Sequence, residues 1–69
     1  MTKKDREQMA ERLRTIRIAA GLTQYDLADL TGITQVTISA LENARQSPTR
    51  RTILQLAEGL GMAPTKLVG

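Results

Sequence analysis

Residues Gln24–Leu41 read Q-Y-D-L-A-D-L-T-G-I-T-Q-V-T-I-S-A-L, and the order of small, turning and apolar residues in this stretch decides the fold. Leu27 and Ala28 fall where a first short helix must face inward, and Ala28 is small enough for a second helix to cross it closely. Gly32 stands where the chain turns sharply, a place that favours a residue free to adopt positive φ. Ile33, Ile38 and Leu41 then give the second helix an apolar seam at helical spacing. The expectation is two short helices joined by a tight turn, with the motif over about residues 24–43.

Outward from this stretch, apolar residues recur at helical intervals on both sides. Met9, Leu13, Ile16 and Ala20 lie on one face of a helix from Asp5 to Ala20, with Thr2 or Asp5 as its cap and Gly21 just past its end. Thr23 caps the first motif helix, and Asp26 three residues on completes an acidic capping box. Thr34 caps the second, through about Asn43. Arg45–Pro48 reads as a loop. Thr49 caps a fourth helix with Ile53, Leu56, Ala57 and Leu60 inward and Gly61 at its end, and Pro64 suits the first turn of a short fifth helix over Thr65–Val68. No run alternates as a strand would, so the chain is all-α: one domain over residues 1–69.

Composition narrows the chemistry. The 69 residues include no Cys, His, Phe or Trp, which excludes disulfides, thiolate catalysis and the usual zinc sites. A chain this short holds one core and has little room for an enclosed active site. Ten Lys and Arg against seven Asp and Glu give a formal charge of +3. That excess serves solubility as readily as an anionic partner, so its placement matters more than its sum. The opening Met-Thr-Lys-Lys-Asp leads into no apolar stretch, so no signal peptide is expected; no apolar run is long enough for a bilayer, and a cytoplasmic, nucleoid-associated location is expected. No metal or other cofactor is expected.

Advancing by about 100° per residue from Thr34 puts Thr34, Ile38 and Leu41 on one side of the second motif helix. Val36, Ser39, Ala40 and Asn43 fall on the other, with Gln35 at the exposed tip. That outward set is short, neutral and able to hydrogen-bond, whereas a purely solvating face would be expected to carry Lys and Glu. The major groove of DNA suits it: Gln bonds an adenine edge in two places, Thr serves either partner, and Val or Ala meets a thymine methyl. Thr34, Gln35, Val36, Thr37 and Ala40 are therefore candidate base contacts.

Helix N-termini bind anions, which makes Gln24 a candidate phosphate clamp. Asn43 is either a second phosphate contact or a C-terminal cap residue in left-handed geometry. Arg45, Arg50 and Arg51 flank the next loop and are placed to bracket a phosphate backbone. Arg17, beside Leu13 and Ile16, and Glu42, at the inward edge of its helix, border one small core with opposite charges. An ion pair between them is expected to orient the reading helix more than to add net stability.

The segments L-R-T-I-R-I-A-A-G-L-T-Q-Y-D-L-A, T-G-I-T-Q-V-T-I-S-A-L-E-N and R-R-T-I-L-Q-L-A-E-G-L-G, spanning Leu13 to Gly61, resemble the Cro/repressor (XRE-type) helix-turn-helix domain of phage and bacterial regulators. The resemblance implies a compact, five-helix, lambda-repressor-like domain that binds operator double-stranded DNA as a homodimer on a near-palindrome. It implies a phosphate contact at Gln24, base contacts at Gln35, Val36 and Ala40, a backbone contact at Asn43, and the Arg17–Glu42 bridge. Three residues depart from the pattern. Thr31 replaces a larger aliphatic residue, which predicts a lightly packed joint. Ala44 replaces a frequent glycine, which moves the left-handed geometry onto Asn43 or alters the turn. Ala40 replaces a long base reader, which concentrates base contacts at Gln35, Val36 and Thr37.

The leading expectation is thus a sequence-specific transcriptional regulator, a repressor above all. The competing one is a protein-interaction module, such as an antitoxin whose main contact is a toxin, with Met62, Leu67 and Val68 left uncovered as its apolar surface. An enzyme is rejected, because Asp26, Asp29, Glu42 and Glu58 give no convergent acid–base pair.

Overall fold

The computed structural model describes residues 1–68. Five helices follow one another: α1 (Lys3–Ala19), α2 (Gln24–Thr31), α3 (Gln35–Glu42), α4 (Arg50–Leu60) and α5 (Thr65–Val68), with no strand among the described residues. Threonine starts the first four. Thr2, Thr23, Thr34 and Thr49 each accept from the backbone N–H three residues on, and Asp5 and Asp26 return the bond to complete capping boxes at α1 and α2. The first helix therefore begins two residues before the expected Asp5, because Thr2 is the cap and Asp5 is the third residue of the box.

One core joins the helices. Met9 and Leu13 from α1, Leu27 from α2, Ile33 from the turn, Ile38 and Leu41 from α3, Leu56 and Ala57 from α4 and Leu67 from α5 are all buried in it. Each full burial of such a Leu, Ile or Met is worth roughly 1.5–3 kcal/mol, a large fraction of what holds so short a chain together. The helix α2 packs on α3 and α4, while α1 packs on α3 and α5.

Three expectations are corrected. Ala20 is exposed as the C-cap of α1, and Ala10, one turn from Leu13, is buried instead. Leu67 is not left uncovered: α5 folds back on α1 and buries it completely, so only Val68 remains exposed and Met62 is half-buried. The joint at Thr31 is tight. A Cβ placed on Gly59 would lie 2.6 Å from Thr31 Cγ2 and 3.0 Å from the Leu30 carbonyl, so the absence of a side chain at Gly59 is what lets α4 approach α2. The Thr31 hydroxyl donates to the Leu27 carbonyl at 2.8 Å and accepts from Ile33 N–H at 3.2 Å, which fastens the turn that a larger aliphatic residue would only fill.

Candidate nucleic-acid interface

The turn between α2 and α3 is made by Gly32 at φ +75°, whose N–H closes on the Ala28 carbonyl at 2.9 Å. Behind it, Ile38 and Leu41 sink into the core and fix the rotation of α3 about its axis. Val36 is consequently left 75% exposed, the most open large apolar side chain among the described residues. Thr34 is exposed and not turned inward as the wheel suggested; Thr37 and Ala40 are half-buried. The Thr34 hydroxyl donates to Thr37 Oγ1 at 2.9 Å.

Gln35 departs from its expected place. It is half-buried at the start of α3 and not a free tip, because its Nε2 donates to Gln24 Oε1 at 2.8 Å. Gln24 Nε2 in turn donates to Glu42 Oε1 at 3.3 Å. An ionised carboxylate only accepts, so Glu42 dictates which way the Gln24 amide faces, and the oxygen left over must take its hydrogen from Gln35. The carboxylate itself is held by Arg17, with Nε 2.7 Å from Oε2 and Nη2 2.9 Å from Oε1. Glu42 is 3% exposed, and the hydrogen bond to its carboxylate holds the Arg17 guanidinium above its ordinary pKa. Arg17 Nη1 also donates to the Leu22 carbonyl at 2.9 Å, and Arg14 Nη1 to the Glu42 carbonyl at 3.2 Å. A polar chain thus runs from α1 through Glu42 and Gln24 to the first residue of α3. The Gln24–Gln35 and Gln24–Glu42 contacts carried no sequence signal, since both glutamines simply open their helices.

The end of α3 also differs from expectation. Asn43 is not left-handed (φ −100°); its Nδ2 donates to the Ser39 carbonyl at 2.8 Å. The positive φ falls on Ala44, at +56°. Its N–H reaches the Leu41 carbonyl at 3.2 Å and Arg45 N–H reaches the Ala40 carbonyl at 2.9 Å, a Schellman closure. The same pair of bonds closes α1 around Gly21 and α4 around Gly61. Ala44 occupies a glycine's seat in that motif.

Arg45, Arg50 and Arg51 are exposed. Arg50 and Arg51 lie in the first turn of α4, where cations oppose the helix macrodipole and an arriving anion would relieve them. Asp26 is held below the usual carboxylate range by its bonds to the Thr23 backbone and hydroxyl, so the acidic member of the α2 capping box stays ionised to lower pH than a free aspartate.

Among known proteins, the family model described as a helix-turn-helix domain matches residues 8–67. An uncharacterized HTH-type transcriptional regulator of Sinorhizobium fredii is 33% identical over 91% of this chain and 82% of its own length. Another, from Methanothermobacter thermautotrophicus, is 43% identical over 71% of each chain. Among solved structures, an HTH_3 family transcriptional regulator from Vibrio cholerae superposes with a TM-score of 0.91 at 28% identity, over 94% of this chain but 36% of its own. A restriction-modification controller protein from Aeromonas hydrophila gives 0.89 at 33% identity, over 93% of this chain and 97% of its own.

Proposed function

The chain belongs to the helix-turn-helix domain family, and from that premise we propose that it is a DNA-binding transcriptional regulator which inserts α3 into the major groove. The observation that carries this is the outer side of α3. Val36 stands open to solvent there among Thr34, Thr37 and Ala40, while the opposite side is locked into the core by Ile38 and Leu41. In this reading Thr34, Gln35, Val36, Thr37 and Ala40 meet base edges, and Gln24, Asn43, Arg45, Arg50 and Arg51 meet phosphates. Gln24 would touch phosphate while steadying Gln35, and the Arg17–Glu42 pair would hold both from behind.

The finer role is repression from a near-palindromic operator, with the five helices of residues 1–69 acting as one unit and two copies binding together in the cytoplasm. The S. fredii and M. thermautotrophicus relatives, both termed transcriptional regulators, support the regulatory role. The family is not an enzyme class, and among the described residues no helix is long and apolar enough to cross a membrane.

Selection of bound sites from a random DNA pool, followed by anisotropy titrations across a range of salt, tests this reading. The expected result is a selected half-site repeated in inverted orientation and an affinity that falls log-linearly with salt. Failure to enrich any sequence, or binding to a protein partner that barely responds to salt, would favour the interaction-module reading instead.

A further inference from the structure

The end of α3 is by itself a poor place for an anion. Its last carbonyls carry the negative end of the helix macrodipole, and no basic residue stands in its last turn. Asn43 adds no charge there and has turned its Nδ2 back onto the Ser39 carbonyl at 2.8 Å. The missing cation comes from another helix. Arg14, on α1, reaches across and donates from Nη1 to the Glu42 carbonyl at 3.2 Å, so its guanidinium is tethered to the last residue of α3. It lines the same surface cleft as Asn43 and Ala44. Capping a carbonyl takes one N–H, and a guanidinium has five. Arg14 is exposed, and the Glu42 carbonyl is its one acceptor among the described residues. Glu7 and Glu11 line the cleft as well, yet neither forms an ion pair with it; the pair among the described residues is Arg17–Glu42.

We propose that Arg14 is a further phosphate contact, supplied by α1, and that it lets the end of α3 hold the DNA phosphate assigned to Asn43 above. The proposal rests on the placement of α3 in the major groove. The tether has already spent part of the side chain's freedom before a phosphate arrives, and the planar fork offers that phosphate two parallel N–H bonds. One side chain then serves two ends. It caps the recognition helix in the free protein and joins that helix to the backbone of the duplex in the complex.

The experiment measures binding by fluorescence anisotropy over a range of salt, on a duplex selected from a random pool and on an unselected one. The proteins are the wild type, Arg14→Gln and Arg14→Lys. Arg14 is exposed, so the variants are expected to fold, and circular dichroism checks that they do. Arg14→Met replaces Arg14→Gln if that one does not. Arg14→Gln should weaken both duplexes alike and reduce the salt slope by about one. Arg14→Lys should restore the slope, since it returns the charge. A neutral methylphosphonate placed at each phosphate in turn should, at one position per half-site, cost the wild-type protein more affinity than it costs Arg14→Gln. An unchanged slope in Arg14→Gln, or a methylphosphonate map the same as that of the wild type, would reduce Arg14 to a cap of α3 and overturn the proposal while the groove assignment stands. If the wild-type protein shows no salt-dependent binding to any duplex, both fall together.

Discussion

Arg17 grips Glu42 across the joint between α1 and α3 with two parallel bonds, Nε to Oε2 at 2.7 Å and Nη2 to Oε1 at 2.9 Å. Both side chains are largely withdrawn from water, at 13% and 2% exposure. Removing one partner leaves the other charge buried and alone, whereas removing both leaves an apolar gap that methylene groups can fill. Arg17→Ala should therefore cost roughly 3–5 kcal/mol by urea denaturation, and Arg17→Met combined with Glu42→Leu should recover most of that loss. DNA affinity should not recover with it, because the double variant has no carboxylate to orient Gln24 and hence Gln35. Recovery of both together would show that the pair serves stability alone.

Ala44 sits at φ +56° in a closure that Gly21 and Gly61 make at the ends of other helices. A left-handed residue with a Cβ is strained by about 1–2 kcal/mol, and glycine gives back part of the gain through its freer unfolded chain. Ala44→Gly should stabilise the protein by about 0.5–1 kcal/mol, a rise of a few degrees in melting temperature for a domain of this size. An unchanged or lower melting temperature would count against the strain.

Gly59 is needed for a different reason. Helix propensity alone would favour Gly59→Ala, yet the new methyl group would press on Thr31 Cγ2 at 2.6 Å and on the Leu30 carbonyl at 3.0 Å. We expect a net loss of about 1–3 kcal/mol from overpacking. Thr31→Ser in the same chain should relieve only part of it, since the carbonyl stays where it was. Thermal melts of the single and double variants decide the matter.

The Asp26 carboxyl is held below its ordinary value by its bonds to Thr23. A carboxyl whose folded pKa is depressed adds stability that is fully present above the unfolded value and is lost as pH falls through the folded one. The stability of the wild-type protein should therefore decline more steeply below about pH 4 than that of Asp26→Asn. At neutral pH the variant should be the less stable of the two. Chemical denaturation at a series of pH values checks both halves.

On DNA, Gln35→Ala should cost on the order of 1–3 kcal/mol at the selected site and relax preference at one base pair. Arg51→Ala should instead weaken all sequences alike and reduce the salt slope by about one. Equal loss on random and selected DNA would remove Gln35 from the readers, and an unchanged slope would remove Arg51 from the phosphate contacts.

The motif was legible because its cues are local. Threonine caps, Gly32 and the spacing of Leu27, Ile38 and Leu41 each act within a turn or two of helix, and they agree with one another. Ile16 and Glu42 also followed from helical spacing on facing elements. What spacing could not reveal depends on how helices far apart in sequence meet. Gln35 is held down by Gln24, Leu67 is buried by the return of α5 onto α1, and Gly59 is small because Thr31 lies against it. Ala44 departs from expectation for a subtler reason: local propensity favours Asn43 for positive φ, but the Schellman bonds require it one residue later.

The most direct test of the groove assignment is an NMR titration of isotope-labelled protein with the selected duplex. Gln24, Gln35, Val36 and Thr37 should show the largest shifts, with Arg45, Arg50 and Arg51 following, while Gln8, Arg12 and Lys66, which line the groove between α1 and α5, stay still. Shifts concentrated on α1 and α5, with Gln35 and Val36 unmoved, would contradict the account.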